Sequence, residues 1–417
     1  MATLNFVLRN QTGSHNAYAY ITGLALDNHN ALFLLQSDGR TPYYPTSPSA
    51  TLTPLAQDCG IPLGPPGNAV TVTIPHLAGA RLWFVRDGKL TFFVNPGPAL
   101  VEPSPSNPTD PNYNLFWDFC EFTWNDAQLY VNITYVDFVT LPIALALTTT
   151  RGETKVVEGL PADGLDRVCD GLRAQNARDG AGWDRLVITT ANGANLRACA
   201  PNTGITLDNS LFSNYYAAYV NDVWSKYAGT TLTVNTQAAA GDVNASVVNG
   251  RLTFAGGISY DQPSTADIFN NSSGAFAVSG DPTKDAITAR LAAAFNRSTL
   301  LWNQIQPNGE QVASYYQNAV TNHFSRICHE VTIGGSGYAF PYDDVAPSDG
   351  KDQSGSVFDS NPQLLTVTVG GLSSSPSTAT AIPGIGPPPP IPPKPKEWPG
   401  KQKGLHGLQK LINKFSQ

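Results

Sequence analysis

Charge is scarce in this 417-residue chain: Asp, Glu, Lys and Arg together make up 14% of it, against about 25% in an ordinary soluble protein. Glutamate is scarcest, with seven residues against 25 aspartates, and the one methionine is Met1. A net charge of −7 argues against nucleic acid as a partner, because phosphate binding is carried by Lys and Arg. No apolar run approaches the roughly 18 residues that span a bilayer; the longest, such as Leu141–Leu147, are strand-sized. Cysteine is also sparse. Cys59, Cys120, Cys169, Cys199 and Cys328 include no C-x-x-C and no zinc spacing, so no metal and no cofactor is expected. Five is odd, so at least one thiol lacks a partner within the chain; Cys169 and Cys199 flank one segment and are the pair that could bridge. The first ten residues lack a basic stretch followed by an apolar core, so no signal peptide is visible.

What is present is 37 Gly, 33 Pro, 10% aromatics and abundant Asn, Thr, Ser and Gln. That composition fits a turn-rich, mainly β protein with a neutral polar surface, suited to neutral polar ligands and carbohydrates first among them. Period-two alternation predicts strands at Leu4–Leu8, Ala17–Thr22, Ala31–Leu35, Val70–Ile74, Arg81–Val85 and Leu90–Val94, separated by Pro/Gly/Asn/Asp clusters. Residues 1–160 therefore read as a β-barrel or sandwich domain, completed by 331–372, where Val331–Ile333, Gly337–Phe340 and Leu364–Val369 are again strand-like. Residues 161–330 read as a mixed α/β domain. Helical spacing marks Asp163–Ala177, Asp208–Ala228, a helix opening at Asp281-Pro282 and running to about Ser298, and Gly309–Ile327; strands are expected at Arg185–Thr190, Thr231–Asn235 and Val243–Phe254. Ten of the 33 prolines fall in 373–400, a Pro-rich linker, and 401–417 reads as a basic amphipathic tail.

The densest aromatic stretch is Leu115-Phe116-Trp117-Asp118-Phe119-Cys120-Glu121-Phe122-Thr123-Trp124. A turn follows at Asn125-Asp126-Ala127, then Gln128-Leu129-Tyr130-Val131-Asn132-Ile133-Thr134-Tyr135-Val136-Asp137-Phe138. This is a hairpin pattern, with Trp117, Phe119, Glu121, Thr123 and Asn125 on one face. A carboxyl among rings loses hydration, which raises its pKa and fits it to act as a general acid. Glycoside hydrolysis needs such an acid and a second, ionised carboxylate, for which Asp137 is the local candidate. The pattern equally admits a Glu121 satisfied by a backbone or arginine partner that does no chemistry. Centring the turn near Asp126 sets Glu121 opposite Asn132 and leaves Asp137 roughly 16 Å along a straight strand. A bulge or bend must bring the two together.

The run 118–123 followed by 132–137 resembles glycoside hydrolase family 64, endo-β-1,3-glucanases of the laminaripentaose-producing type related to thaumatin-like proteins. Val7–Asp27, Tyr315–Phe324 and Gly337–Asp344 resemble the same family, in the same order, and the likeness covers about residues 3–370. It implies a thaumatin-like β-barrel domain and a mixed α/β domain with a wide groove between them. It also implies inverting endo-hydrolysis of β-1,3-glucan to short oligosaccharides, with Glu121 as general acid and Asp137 as general base. By the same resemblance Thr123, Asn125, Tyr130 (where the family carries Trp) and Thr134 contact sugar. A glucan substrate implies an extracellular protein, and a monomer is expected.

Other candidates carry less. His323 and His329 do not share a helix face, and His329-Glu330 lacks the second His of H-E-x-x-H. Gly334–Gly337 is not followed by G-K-[ST], no G-x-S-x-G elbow occurs, and Asp343-Asp344 reads as a cleft wall or turn. Two alternatives stand beside the enzyme. One is a non-catalytic thaumatin-like β-glucan-binding protein; the other is an interaction protein acting through its tail.

Overall fold

Alternation decides the first half of the chain. In Leu4–Asn10 every second residue is buried, the signature of a strand with one face on a core. The computed structural model describes residues 2–371 apart from 349 and 351; the linker 373–400 and the tail 401–417 lie outside the described residues. The expected strand Ala31–Leu35 is found with those bounds, and Leu4–Asn10, Ala17–Ala25, Ala69–Ile74 and Leu77–Arg86 extend their expected cores by a few residues.

Two large sheets pack on one core, and one of them carries the site residues. One has five strands in the order 154–157, 143–149, 362–369, 4–10 and 69–74. Pro362–Val369 lies at its centre, parallel to Leu4–Asn10 and antiparallel to Ile143–Thr149. The other has eight strands, and along its main path Ser356–Asp359, Leu129–Ile133, Phe116–Trp124, Leu77–Arg86 and Ala17–Ala25 are neighbours. Phe6, Leu8, Val72, Leu82, Phe84, Phe122, Val131, Leu145 and Val367 from both sheets share one core. A separate aromatic cluster of Tyr20, Trp83, Phe92, Trp117, Phe119 and Phe138 lies on the other face of the eight-stranded sheet. The molecule is mainly β with a few helices.

Between Val157 and Ser356 come, among the described residues, six α-helices, a five-stranded sheet, and two strands that pair with Phe138–Val139 into a three-stranded one. Gly164–Asp179 and Pro282–Arg297 lie where periodicity places them, the second capped by Asp281. Two expected helices are shorter than their patterns. Asp208 ends the helix Pro201–Leu207, and its Oδ1 accepts from Ser210 N–H in an Asx turn. Positive φ at Phe212 (58°) and Asn214 (60°) keeps the chain out of the helix until Ala217. In 309–327, only a single turn at Val312–Ser314 precedes Tyr316 at φ 61°; the helix starts at His323, capped by Asn322. Val331 is the last residue of that helix and Ile333–Gly335 is a helical turn, so no strand forms at 331–333. Among the described residues no helix is long and apolar enough to cross a membrane.

The cysteines correct one expectation. Cys169 and Cys199 form no bridge: all five thiols are free and buried. Burial pushes Cys59, Cys169 and Cys199 up to about 12, so about one in 10⁴ is thiolate at pH 8. A chromogenic disulfide reagent at pH 8 is therefore expected to titrate no thiol in the folded protein and all five in denaturant. Fast reaction of any one in the native state would contradict this packing.

Candidate active site

One row of paired residues crosses five strands of the eight-stranded sheet: Thr22, Arg81, Glu121, Asn132 and Ser356. Paired residues share a face, and this is the face opposite the main core, since Cys120 and Phe122 on either side of Glu121 point into that core. The row is polar, while the next one is the aromatic set Tyr20, Trp83 and Phe119. The hairpin turn gives the register that sets Glu121 against Asn132, as its length predicts.

Glu121 is about one-fifth exposed and accepts from Arg81 Nε at 3.3 Å. Arg81 also holds Glu102 through Nη1 and lies 4.7 Å from the centre of the Phe119 ring. The charges of Glu102, Glu121 and Asp137 all act on this guanidinium.

Asp137 does not lie along a straight hairpin. The strand Leu129–Ile133 ends early, and Thr134 bridges Tyr338 instead. Tyr135 N–H donates to Tyr338 O at 2.6 Å, and Thr134 Oγ1 accepts from Val136 N–H at 3.3 Å, tightening the bend. Gly337 permits this close approach, since a Cβ there would sit 2.3 Å from the Tyr135 ring. After the bend Phe138 packs on Trp117 (4.7 Å) and Phe119 (6.2 Å between ring centres). Burying one such ring is worth about 1.5–3 kcal/mol. Asp118 Oδ2 then accepts from Thr140 and Leu141 N–H at 2.8 and 3.0 Å, with its own carboxyl pushed up to about 7 by burial despite these bonds. The segment after Asp137 is thus tied down on the strand that carries Glu121. Burial raises the Asp137 carboxyl most; Arg81 pulls it down, and Glu121 and Glu102 push it up. A carboxylate raised in this way is better matched to proton transfer near neutrality.

Thr123 and Tyr130 face each other one row from Glu121, and Tyr130 stacks on the half-exposed Phe358 at 6.1 Å and 21°. Asn125 lies in the turn, its Oδ1 accepting from Ala127 and Gln128 N–H. Thr134 is buried under the bend. Arg81, Glu102 and Asp118 were missed in the sequence, although Glu102 is one of only seven glutamates and Arg81 shares strand parity with Trp83. Asp343 lies in a turn, as one of its two readings has it, and not in a cleft wall: it is fully buried, paired with Arg297 at 3.0 Å and His329 at 2.8 Å.

The comparisons with known proteins agree with one another. The profile of glycoside hydrolase family 64, described as β-1,3-glucanase, matches residues 2–369. Two curated proteins, both glucan endo-1,3-β-glucosidases, from Cellulosimicrobium cellulans and Arthrobacter sp. (strain YCWD3), are each 28% identical over 323 residues, 76% of this chain and 55% of theirs. The chain thus spans about half the length of these relatives. A laminaripentaose-producing β-1,3-glucanase solved with laminaritetraose is 30% identical with a TM-score of 0.78, over 88% of this chain and 98% of that one. A β-1,3-glucanase domain from Clostridium beijerinckii, 23% identical over the same shares with a TM-score of 0.66, shares the fold.

Proposed function

This chain belongs to glycoside hydrolase family 64, and from that membership we propose that it is an inverting endo-hydrolase of β-1,3-glucan releasing short oligosaccharides of the laminaripentaose type. The observation that carries the reading is that Glu121, on the polar row of the sheet, bonds Arg81, while Asp137, beyond the bend, lies within electrostatic reach of both. Glu121 gives its proton to the glycosidic oxygen as the C1–O bond breaks. Asp137 takes a proton from a water whose oxygen bonds to C1 from the opposite side. A pair working this way stands about 6.5–9.5 Å apart, with room for the water between.

Thr123, Asn125, Tyr130 and Thr134 are the proposed sugar contacts, with the Tyr130 ring offering an apolar face to a pyranose. The groove is read as lying between a thaumatin-like domain, 1–160 with 331–372, and the 161–330 domain. A polymeric substrate fits an extracellular monomer. The test is to incubate the protein with a linear β-1,3-glucan and follow fresh reducing ends by proton NMR. The expected first product is a short oligosaccharide with an α-anomeric end. A β-anomer first would replace inversion by a retaining mechanism, and no release, with binding kept, would leave a glucan-binding protein.

A further inference from the structure

Arg81 meets two carboxylates from different parts of the fold. Its Nε reaches Glu121 on the neighbouring strand, and its Nη1 reaches Glu102, just past the strand Ala99–Val101. Neither the aromatic packing nor the ladder requires Glu102. A lone guanidinium here would favour the ionised form of Asp137. We propose that Glu102 is a positioning residue for the acid–base pair, orienting Arg81 toward Glu121 and taking up part of the positive charge that would otherwise act on Glu121 and Asp137. The proposal rests on the catalytic reading of that pair.

Among the described residues, four titratable groups act electrostatically with Asp137: Arg81, Glu121, Glu102 and, on the strand Asn195–Cys199, the thiol of Cys199. Burial keeps that thiol neutral across the working range, at about 12. The signs then follow. Removing the charge of Glu102 leaves Arg81 less compensated, so Asp137 ionises at lower pH. Removing the charge of Arg81 does the reverse.

The experiment measures two things in wild type, Glu102→Gln, Glu102→Asp and Arg81→Gln: the acid limb of kcat/KM against pH, and the carboxyl ¹³C titration of Asp137, assigned with Asp137→Asn. In Glu102→Gln both midpoints are expected to fall by about half a unit to one unit, and in Arg81→Gln the NMR midpoint is expected to rise by as much. Glu102→Asp keeps the charge and is expected to hold the midpoint near wild type while lowering kcat through the shorter reach. Unmoved midpoints in Glu102→Gln, with its thermal midpoint kept, would overturn the proposal. If Glu102→Gln does not fold, an unmoved titration in Arg81→Gln overturns it equally. The NMR arm needs no turnover, so wild type without hydrolysis but with these shifts would uphold the coupling and overturn the catalytic reading.

Discussion

Glu121→Gln and Asp137→Asn are each expected to lower kcat on a linear β-1,3-glucan by about 10²–10⁴-fold, the range of a single acid or base in such catalysis. KM is expected to move little, because each change deletes an interaction made in the transition state rather than one made to the resting sugar. The double variant is expected to lose little more than the worse single one, since half an acid–base pair cannot complete the displacement. Glucan co-sedimentation should survive in all three. The Gln isostere has nearly the shape of Glu121 and still accepts from Arg81 Nε, so the local fold is expected to hold. Near-wild-type turnover in either single variant would remove that residue from its role. The Asp137 variant is the more searching of the two. Its backbone oxygen accepts from Ala200 N–H at 2.9 Å and its neighbour Phe138 is buried, so the bend is held by groups the substitution leaves untouched.

The second large effect is on stability. Asp343→Asn is expected to cost about 3–5 kcal/mol, the scale for removing one partner of a buried ion pair. Asp343 has no exposed side-chain surface. Its two carboxylate oxygens accept from Arg297 and from His329 and Ala339. Burial alone would raise its carboxyl; His329 and Arg297 outweigh that and hold it below the usual range. A carboxylate depressed in the native state adds stability above its unfolded pKa, near 4, and loses it as pH falls toward the native value. The difference between wild type and Asp343→Asn in urea titrations should therefore be full at pH 7 and shrink below about pH 4. A difference under about 1 kcal/mol at pH 7 would mean that Arg297 finds compensation elsewhere. The loss should also reach the site, because the 339–343 turn follows Tyr338, which bridges Thr134 just before Asp137.

Elements whose cause is local were legible in the sequence. Leu4–Asn10 alternates against one core, and the Asn125–Gln128 turn gives the register of Glu121 against Asn132. Glu121 and Asp137 and their spacing of sixteen were also visible. Their approach was not. It depends on Tyr338 capturing Thr134, on Phe138 docking beside Phe119, and on Asp118 gripping Thr140 and Leu141, all contacts that no periodicity encodes. The same holds for Arg81 and Glu102, which meet Glu121 only once three strands are aligned. The 208–216 segment misled for a related reason. Leu211, Phe212 and Tyr216 are buried at near-helical spacing, yet turns bury them as well as a helix would.

The position of Pro362–Val369, between Leu4–Asn10 and Ile143–Thr149, sets an order on the birth of this molecule. On a ribosome adding about 5–20 residues per second, Leu4–Asn10 waits on the order of tens of seconds for its parallel neighbour. Until then two strand borders that the finished protein hides are open to any passing β-segment. Nascent chains halted before this strand would carry both Glu121 and Asp137 yet lack the strand that joins the two halves of the sheet. Success in making this protein thus turns on a strand added late in synthesis, far along the chain from Glu121 and Asp137.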